Sequence, residues 1–274
     1  MRKTIIIAAT ALLSISAAAQ NLTILHLNDT HSHSDPERTT SLYGRGGVLE
    51  RAAYIDSVRL ADGRKNVLLL HAGDFSQGTS YFTVLKGELE VDLINALGYD
   101  AVAIGNHEFD NGLEALAKRL KRMKAPVVCA NYDFSGTALG KCVKPYVVVR
   151  KGGMKIGIIG LTTDVRPVVD APIARQLRFR DPVEVTEELA AMLKDKKKCD
   201  IVICLTHLGF DGREGDMCDK LLVEKTRNVD LVVGGHSHTE LEEVWWQPNV
   251  DGVKIPVVQN GCWGLNMANL KVQK

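Results

Sequence analysis

The sequence predicts a mixed α/β fold, and three observations carry that prediction. Short runs rich in Val, Ile and Leu, which read as buried strands, recur along the chain. Between them lie stretches whose apolar residues return at helical spacing, and such alternation indicates parallel sheet with helices outside. Glycine pairs and closing apolar runs add antiparallel pairing, so a mixed α/β sandwich fits better than a simple doubly wound sheet.

The elements follow in order. Leu22 to Leu27 is a strand, and Val48, Ala52, Ile55 and Val58 mark a helix over Val48 to Leu60. Asn66 to Leu70 is the next strand, followed by one helix from Tyr81 to Leu97. Asp100 to Ile104 is a strand, Gly112 to Met123 a helix with a basic last turn, and Pro126 to Ala130 a strand. Tyr146 to Arg150 and Lys155 to Leu161 flank Gly152-Gly153, which reads as a hairpin. Pro182 to Lys198 is a helix with a solvated basic end. Ile201 to Leu205 and Leu231 to Val233 are strands around a helix near Gly215 to Thr226. Ile255 to Gln259 and Ala268 to Val272 close the chain as a second hairpin-like pair.

With 274 residues the chain can bury a large core as one domain. Its 34 basic and 33 acidic side chains give no footprint for a nucleic-acid polymer or a membrane surface, so attraction for an anionic substrate must be local. Residues 1–19 read as a signal peptide: Arg2 and Lys3, an apolar run from Ile5 to Ile15, then Ala17-Ala18-Ala19 before Gln20. That run is shorter than the ~20 residues a membrane span needs. The expectation is an exported protein, periplasmic or secreted, with residues 20–274 as its single catalytic domain and no membrane span in the mature chain. Of the six cysteines, Cys129 and Cys142 flank a Gly-rich loop and are the first candidate disulfide; buried free thiols are the alternative.

Polar fragments follow directly on the apolar runs: Asp29-Thr30-His31, Gly73-Asp74, Gly105-Asn106-His107-Glu108 with Asp110 just beyond, Thr206-His207, and Gly235-His236-Ser237-His238. Open sheets place their ligand sites at such strand tips. Asp29 and His31, two apart, would point the same way on extended backbone. Asp74 is a carboxylate able to bridge two cations, and Asn106 offers a neutral oxygen. His107 would lie over the site with Asp110 fixing its tautomer. Glu108 reads as a helix N-terminal carboxylate, and His26 and His71 as core residues. Oxygen and imidazole donors converging in this way describe a two-metal hydrolase. No sulfur donor appears among them, so hard or borderline ions fit: Mn, Zn, Fe, Co or Mg.

These fragments resemble the calcineurin-like metallophosphoesterase superfamily. More narrowly, Asn28 to His33, Gly105 to Asp110 and Val233 to His238 resemble the periplasmic 5′-nucleotidase and UDP-sugar hydrolase family, over nearly all of Leu22 to Val272. The resemblance implies a four-layer αββα sandwich with two mixed sheets. It implies one metal on Asp29, His31, Asp74 and His238, a second on Asp74, Asn106, His207 and His236, and catalytic His107 oriented by Asp110. His238 matches the wider superfamily, since several nucleotidases carry Gln or Asn there. The family's C-terminal base-clamping domain lies beyond the sequence.

The implied activity is hydrolysis of phosphate monoesters, nucleoside 5′-monophosphates first, by attack of a metal-bridged hydroxide. His107 would donate to the phosphate oxygens or to the leaving group. A 2′,3′-cyclic-nucleotide phosphodiesterase, a UDP-sugar hydrolase or a broad phosphatase are alternatives within the class. Outside it stands a metal-binding subunit of a complex with a separately encoded base-binding domain. Trp245, Trp246 and Trp263 either pack in the closing strands or offer that partner a docking surface.

Overall fold

The strands alternate their side chains between two hydrophobic layers, and this alternation builds the architecture. The computed structural model describes residues 21–38, 41–212 and 215–273; the segment 1–19 read above as a signal peptide lies outside them. In chain order the first half runs β1 (Asn21–Leu27), α1 (Val48–Asp62), β2 (Val67–His71), α2 (Ser80–Leu85), α3 (Glu88–Leu97), β3 (Ala101–Ala103), α4 (Gly112–Leu120), β4 (Val127–Val128), β5 (Tyr132–Asp133) and β6 (Val143–Lys144). The second half runs β7 (Tyr146–Lys151), β8 (Met154–Thr162), α5 (Ala171–Ala174), β9 (Arg178–Phe179), α6 (Pro182–Asp195), β10 (Ile201–His207), α7 (Asp219–Lys225), β11 (Leu231–Val233), β12 (Trp245–Pro248), β13 (Lys254–Val258) and β14 (Ala268–Gln273).

Two mixed sheets of six strands result, ordered β14-β1-β2-β3-β4-β6 and β12-β13-β11-β10-β8-β7, with a small β5-β9 ribbon beside them. Leu22, Ile24, Leu68 and Leu70 of the first sheet share one core with Ile156, Ile158, Ile203 and Leu205 of the second. The alternate residues, Leu25, Leu27, Val67 and Leu69, pack with Ile55, Ile94 and Leu116 of α1, α3 and α4. On the far side Ile159, Leu161, Val202 and Cys204 meet Val185 and Leu193 of α6 and Leu222 of α7. Both faces of each sheet are covered, which explains why the strands read as unbroken apolar runs. Each such Leu or Ile contributes about 1.5–3 kcal/mol on full burial. This is the four-layer αββα sandwich that the resemblance implied.

Three expectations need correcting. The helix expected from Tyr81 to Leu97 is two helices, because Lys86 and Gly87 turn left-handed at φ 52° and 87°. The closing strands are not a hairpin: β14 pairs antiparallel with β1 in the first sheet, while β13 pairs with β11 and β12 in the second. Cys129 and Cys142 are not bridged; all six cysteines are free thiols. Cys129 Sγ lies 3.4 Å from Thr162 Oγ1 inside the core, and Cys142 Sγ faces the carbonyls of Ala117 and Ala138.

Candidate metal centre

The carboxyl ends of β1, β2, β3, β10 and β11 come together where the two sheets meet, and each carries one polar fragment. His207 is the last residue of β10, whereas the other donors and His107 stand two to five residues beyond their strands and Asp110 seven beyond β3. The loop after β1 is stitched to the loop after β2 by backbone bonds: Asp29, His31 and Ser32 donate N–H to the carbonyls of Gly73, Asp74 and Phe75. Here the structure departs from the expectation of extended backbone. Asp29, His31, Asp74, His236 and His238 all have positive φ, between 46° and 82°. Left-handed backbone at non-glycine residues costs of order 1–3 kcal/mol each and clusters at functional sites. The donors converge through tight turns, not through strand periodicity.

Two donor clusters lie side by side, Asp29 with His31 and His238, and Asp74 with His207 and His236, and a third grouping of His31, Asp74 and His107 overlaps both. Asn106 Oδ1 joins the second, 3.2 Å from His207 Nε2 and 2.8 Å from His236 Nδ1. Asp74 Oδ2 is 3.0 Å from His207 Nε2 and 4.0 Å from His31 Nε2, so its carboxylate spans both clusters. Asp74 Oδ1 accepts the backbone N–H of His107 at 2.9 Å. Gly105 permits this proximity, since a Cβ there would stand 2.1 Å from Asp74 Oδ1. His107 Nδ1 meets Asp110 Oδ2 at 2.9 Å, and its ring lies edge-on to His31 at 5.4 Å. All nine residues expected at the site are thus gathered at one mouth.

The arrangement fits divalent cations on its own chemistry. His31 Nε2 and His238 Nε2 point at each other across 3.0 Å, where at most one proton can sit. Asp29 Oδ2 accepts from Asn28 Nδ2 and from the His236 N–H, while its buried Oδ1 faces the cluster without a well-formed hydrogen bond, 3.3 Å from His238 Nε2. His207 directs Nδ1 at the Ala72 carbonyl, which turns Nε2 toward the pocket, as metal-ligating histidines require. Burial keeps the His31 and His236 imidazoles below the ordinary range, with His236 pushed down to about 4, so both offer lone pairs. His207 is pushed up to about 10: burial opposes its charge, but Asp74 and Asp29 outweigh burial. Contacts with Asp29 and Cys262 likewise hold His238 up at about 10. Protons on these two rings stand where cations would, to be released on metal binding.

Sequence reasoning missed the residues that hold the donors. Glu108 is not a helix-end carboxylate. It is buried, and its two oxygens accept backbone N–H groups from Asp74, Ser76 and Gly105 at 2.9, 3.0 and 2.7 Å, clasping the loops after β2 and β3 together. Burial, then the charge of Asp74, push this carboxyl up to about 7 while the amides pull it down. Glu108→Gln sets an amide NH₂ against those donors. It is expected to cost about 2 kcal/mol in urea unfolding of the metal-free protein; an unchanged midpoint would show that the clasp is dispensable. Gln259 holds the loop after β11 through the Gly235 carbonyl and the Thr239 N–H, and Asn28 ties Asp29 to Gly261. Asn28 and Glu108 had a signal, their places next to Asp29 and His107. Trp245 and Trp246 are half-exposed on edge strand β12, whereas Trp263 stacks on His33 at 4.7 Å.

The chain is similar to known phosphoesterases. The profile described as calcineurin-like phosphoesterase matches residues 22–240. Human 5′-nucleotidase is 37% identical, the match covering 98% of this chain and 49% of that protein. Among solved structures, the 5′-nucleotidase precursor of Thermus thermophilus superposes with a TM-score of 0.83 at 37% identity, over 92% of this chain and 51% of that one. The NAD nucleotidase of Haemophilus influenzae superposes with a TM-score of 0.80 at 30% identity, over 93% and 53%. The chain spans about half the length of the curated relatives it matches.

Proposed function

Because the chain belongs to the calcineurin-like phosphoesterase family, we propose that it hydrolyses phosphate monoesters, with nucleoside 5′-monophosphates as substrates and nucleoside and phosphate as products. The observation that carries this reading is the pair of donor clusters spanned by Asp74, with His107 at their edge. The cofactor is a pair of divalent metal ions of unassigned identity. Asp29, His31, Asp74 and His238 would hold one, and Asp74, Asn106, His207 and His236 the other. When bound, such a pair supplies Lewis-acid charge for the phosphate oxygens and a water ionised near neutrality as nucleophile. His107 is held above its ordinary range first by its hydrogen bond to Asp110, so it carries a proton to the reacting phosphate. Asp110 fixes the ring orientation, and the partly exposed His107 face leaves room for substrate.

A further domain completes substrate recognition in this reading, since the relatives are about twice as long as the aligned region. Export follows from residues 1–19; among the described residues no helix is long and apolar enough to cross a membrane. The Haemophilus relative's name brings NAD beside AMP as a substrate to test. Protein loaded with Mn²⁺ or Zn²⁺ is to be given AMP, NAD, UDP-glucose, 2′,3′-cyclic AMP and p-nitrophenyl phosphate. The expected result is the highest kcat/KM for AMP, abolished by chelator and restored by metal. Metal-loaded protein that cleaves 2′,3′-cyclic AMP or UDP-glucose in preference to AMP would overturn the nucleotidase reading.

A further inference from the structure

Behind the metal loop lies a cavity of about 30 Å³, lined by apolar side chains and by polar residues that include Thr30, Ser32, Arg51, His71, Glu90 and Tyr99. Several polar atoms of its lining residues are buried and have no hydrogen-bond partner among the described residues: Ser32 Oγ, His71 Nδ1 and both oxygens of Glu90. Two of these residues carry charge. Glu90, from α3, is 4% exposed, and Arg51, from α1, is 8% exposed. Arg51 is already committed to the metal centre's scaffold. Its Nη2 donates to the His33 carbonyl at 2.8 Å and its Nη1 reaches the Trp263 carbonyl at 3.5 Å. The first carbonyl belongs to the loop that carries Asp29 and His31. The second belongs to a loop whose Trp263 N–H donates to the Asp29 carbonyl at 2.7 Å.

We propose that this cavity holds ordered water joining Glu90 to Arg51, and that the water-linked pair positions the loop bearing Asp29 and His31. A cavity of about 30 Å³ has room for about two waters, and its polar lining offers the partners a water needs. Two waters, at two to four hydrogen bonds each, offer enough bonds for the four orphaned atoms named above. His71 serves in either tautomer, because Thr30 Oγ1, 3.1 Å from its Nε2, can donate or accept. Charge balance selects water over a bound cation. Arg119, whose guanidinium feels the charge of Glu90, already offsets that carboxylate, Arg51 adds a second positive charge, and a further cation would leave a surplus in a buried space. Arg119 spends its Nη atoms on the carbonyls of Lys86 and Glu108, its buried Nε has no partner among the described residues, and it does not line the cavity. Arg51 and Glu90 touch neither metal donors nor substrate; they are positioning residues.

A crystal structure of the full chain, at a resolution that shows ordered solvent, is expected to hold two waters within hydrogen-bond reach of Glu90 and Arg51. A dry cavity, or a cation in it, overturns the proposal. The second readout is Mn²⁺ affinity by titration calorimetry, which rests on the metal-binding reading of Asp29 and His31; the crystallographic one does not. Arg51→Gln and Glu90→Leu are each expected to weaken one of the two Mn²⁺ sites about 10-fold and to spare the other. The double variant should lose no more than either single one, because both cut the same connection. Losses that multiply to about 100-fold, equal weakening of both sites, or parental affinity in the single variants overturn it. Should a variant fail to fold, the crystal structure of the unaltered chain decides.

Discussion

Asp74→Asn is expected to lower kcat/KM toward AMP and p-nitrophenyl phosphate by about 10³-fold or more and to leave about one metal per chain in place of two. The change keeps shape and removes charge. Asp74 reaches both clusters, 3.0 Å from His207 and 4.0 Å from His31, as Asp29 does from the other side at 3.3 Å from His238 and 3.8 Å from His207, and Asp74 also fixes the His107 backbone. A neutral amide cannot share its charge between two cations. Loss of one cation forfeits several kcal/mol of stabilisation of the phosphoryl transition state, and about 4 kcal/mol corresponds to about 10³-fold. Folding is not expected to fail. In the metal-free protein Asp74 supports the charge of the buried His207 ring, but that ring can release its proton when Asp74 is neutralised. Metal analysis and turnover on the same preparation separate the outcomes. Two metals per chain with near-parental turnover would remove Asp74 from the centre of the scheme.

How much of this centre was legible depended on what each residue's role requires. The strand tips were legible because strands covered on both faces are unbroken apolar runs, so a polar residue after one stands out; Asp74, Asn106 and His236 follow their strands by three residues. The turn geometry was not. Asp29 and His31 face one pocket through left-handed backbone, which a non-glycine sequence does not announce. Glu108 was misread because a carboxylate at the start of a helix has an ordinary use; its burial against three amides depends on two loops that meet only in the folded chain. Arg51 was invisible for the same reason: on an amphipathic helix an arginine reads as solvated, yet here it is buried beneath two loops more than 200 residues apart along the chain. The pairing of β14 with β1 was missed because adjacency in sequence favours hairpins, and only closure of the first sheet brings the chain ends together.

The second large effect separates binding from chemistry. His107→Asn should leave two metals bound and slow turnover by about 10²–10⁴-fold, the range for losing a positioned proton donor. The donors of the two clusters are complete without the His107 ring, which stands at their edge with Nδ1 bound to Asp110 at 2.9 Å. Loss of metal from the variant would instead make His107 a ligand, as its proximity to His31 and Asp74 allows. The same variant distinguishes the two destinations for the His107 proton. A donor to the leaving oxygen matters most for a poor leaving group, so the penalty should be large for AMP and small for p-nitrophenyl phosphate. A donor to the non-bridging oxygens stabilises charge that develops with either ester, and the penalties should then be equal. Asp110→Asn provides the control, because it weakens the hold on the ring while leaving the ring in place. Its penalties should be smaller and follow the same ratio between the two esters. A reversed ratio would mean that Asp110 acts on the substrate independently of His107.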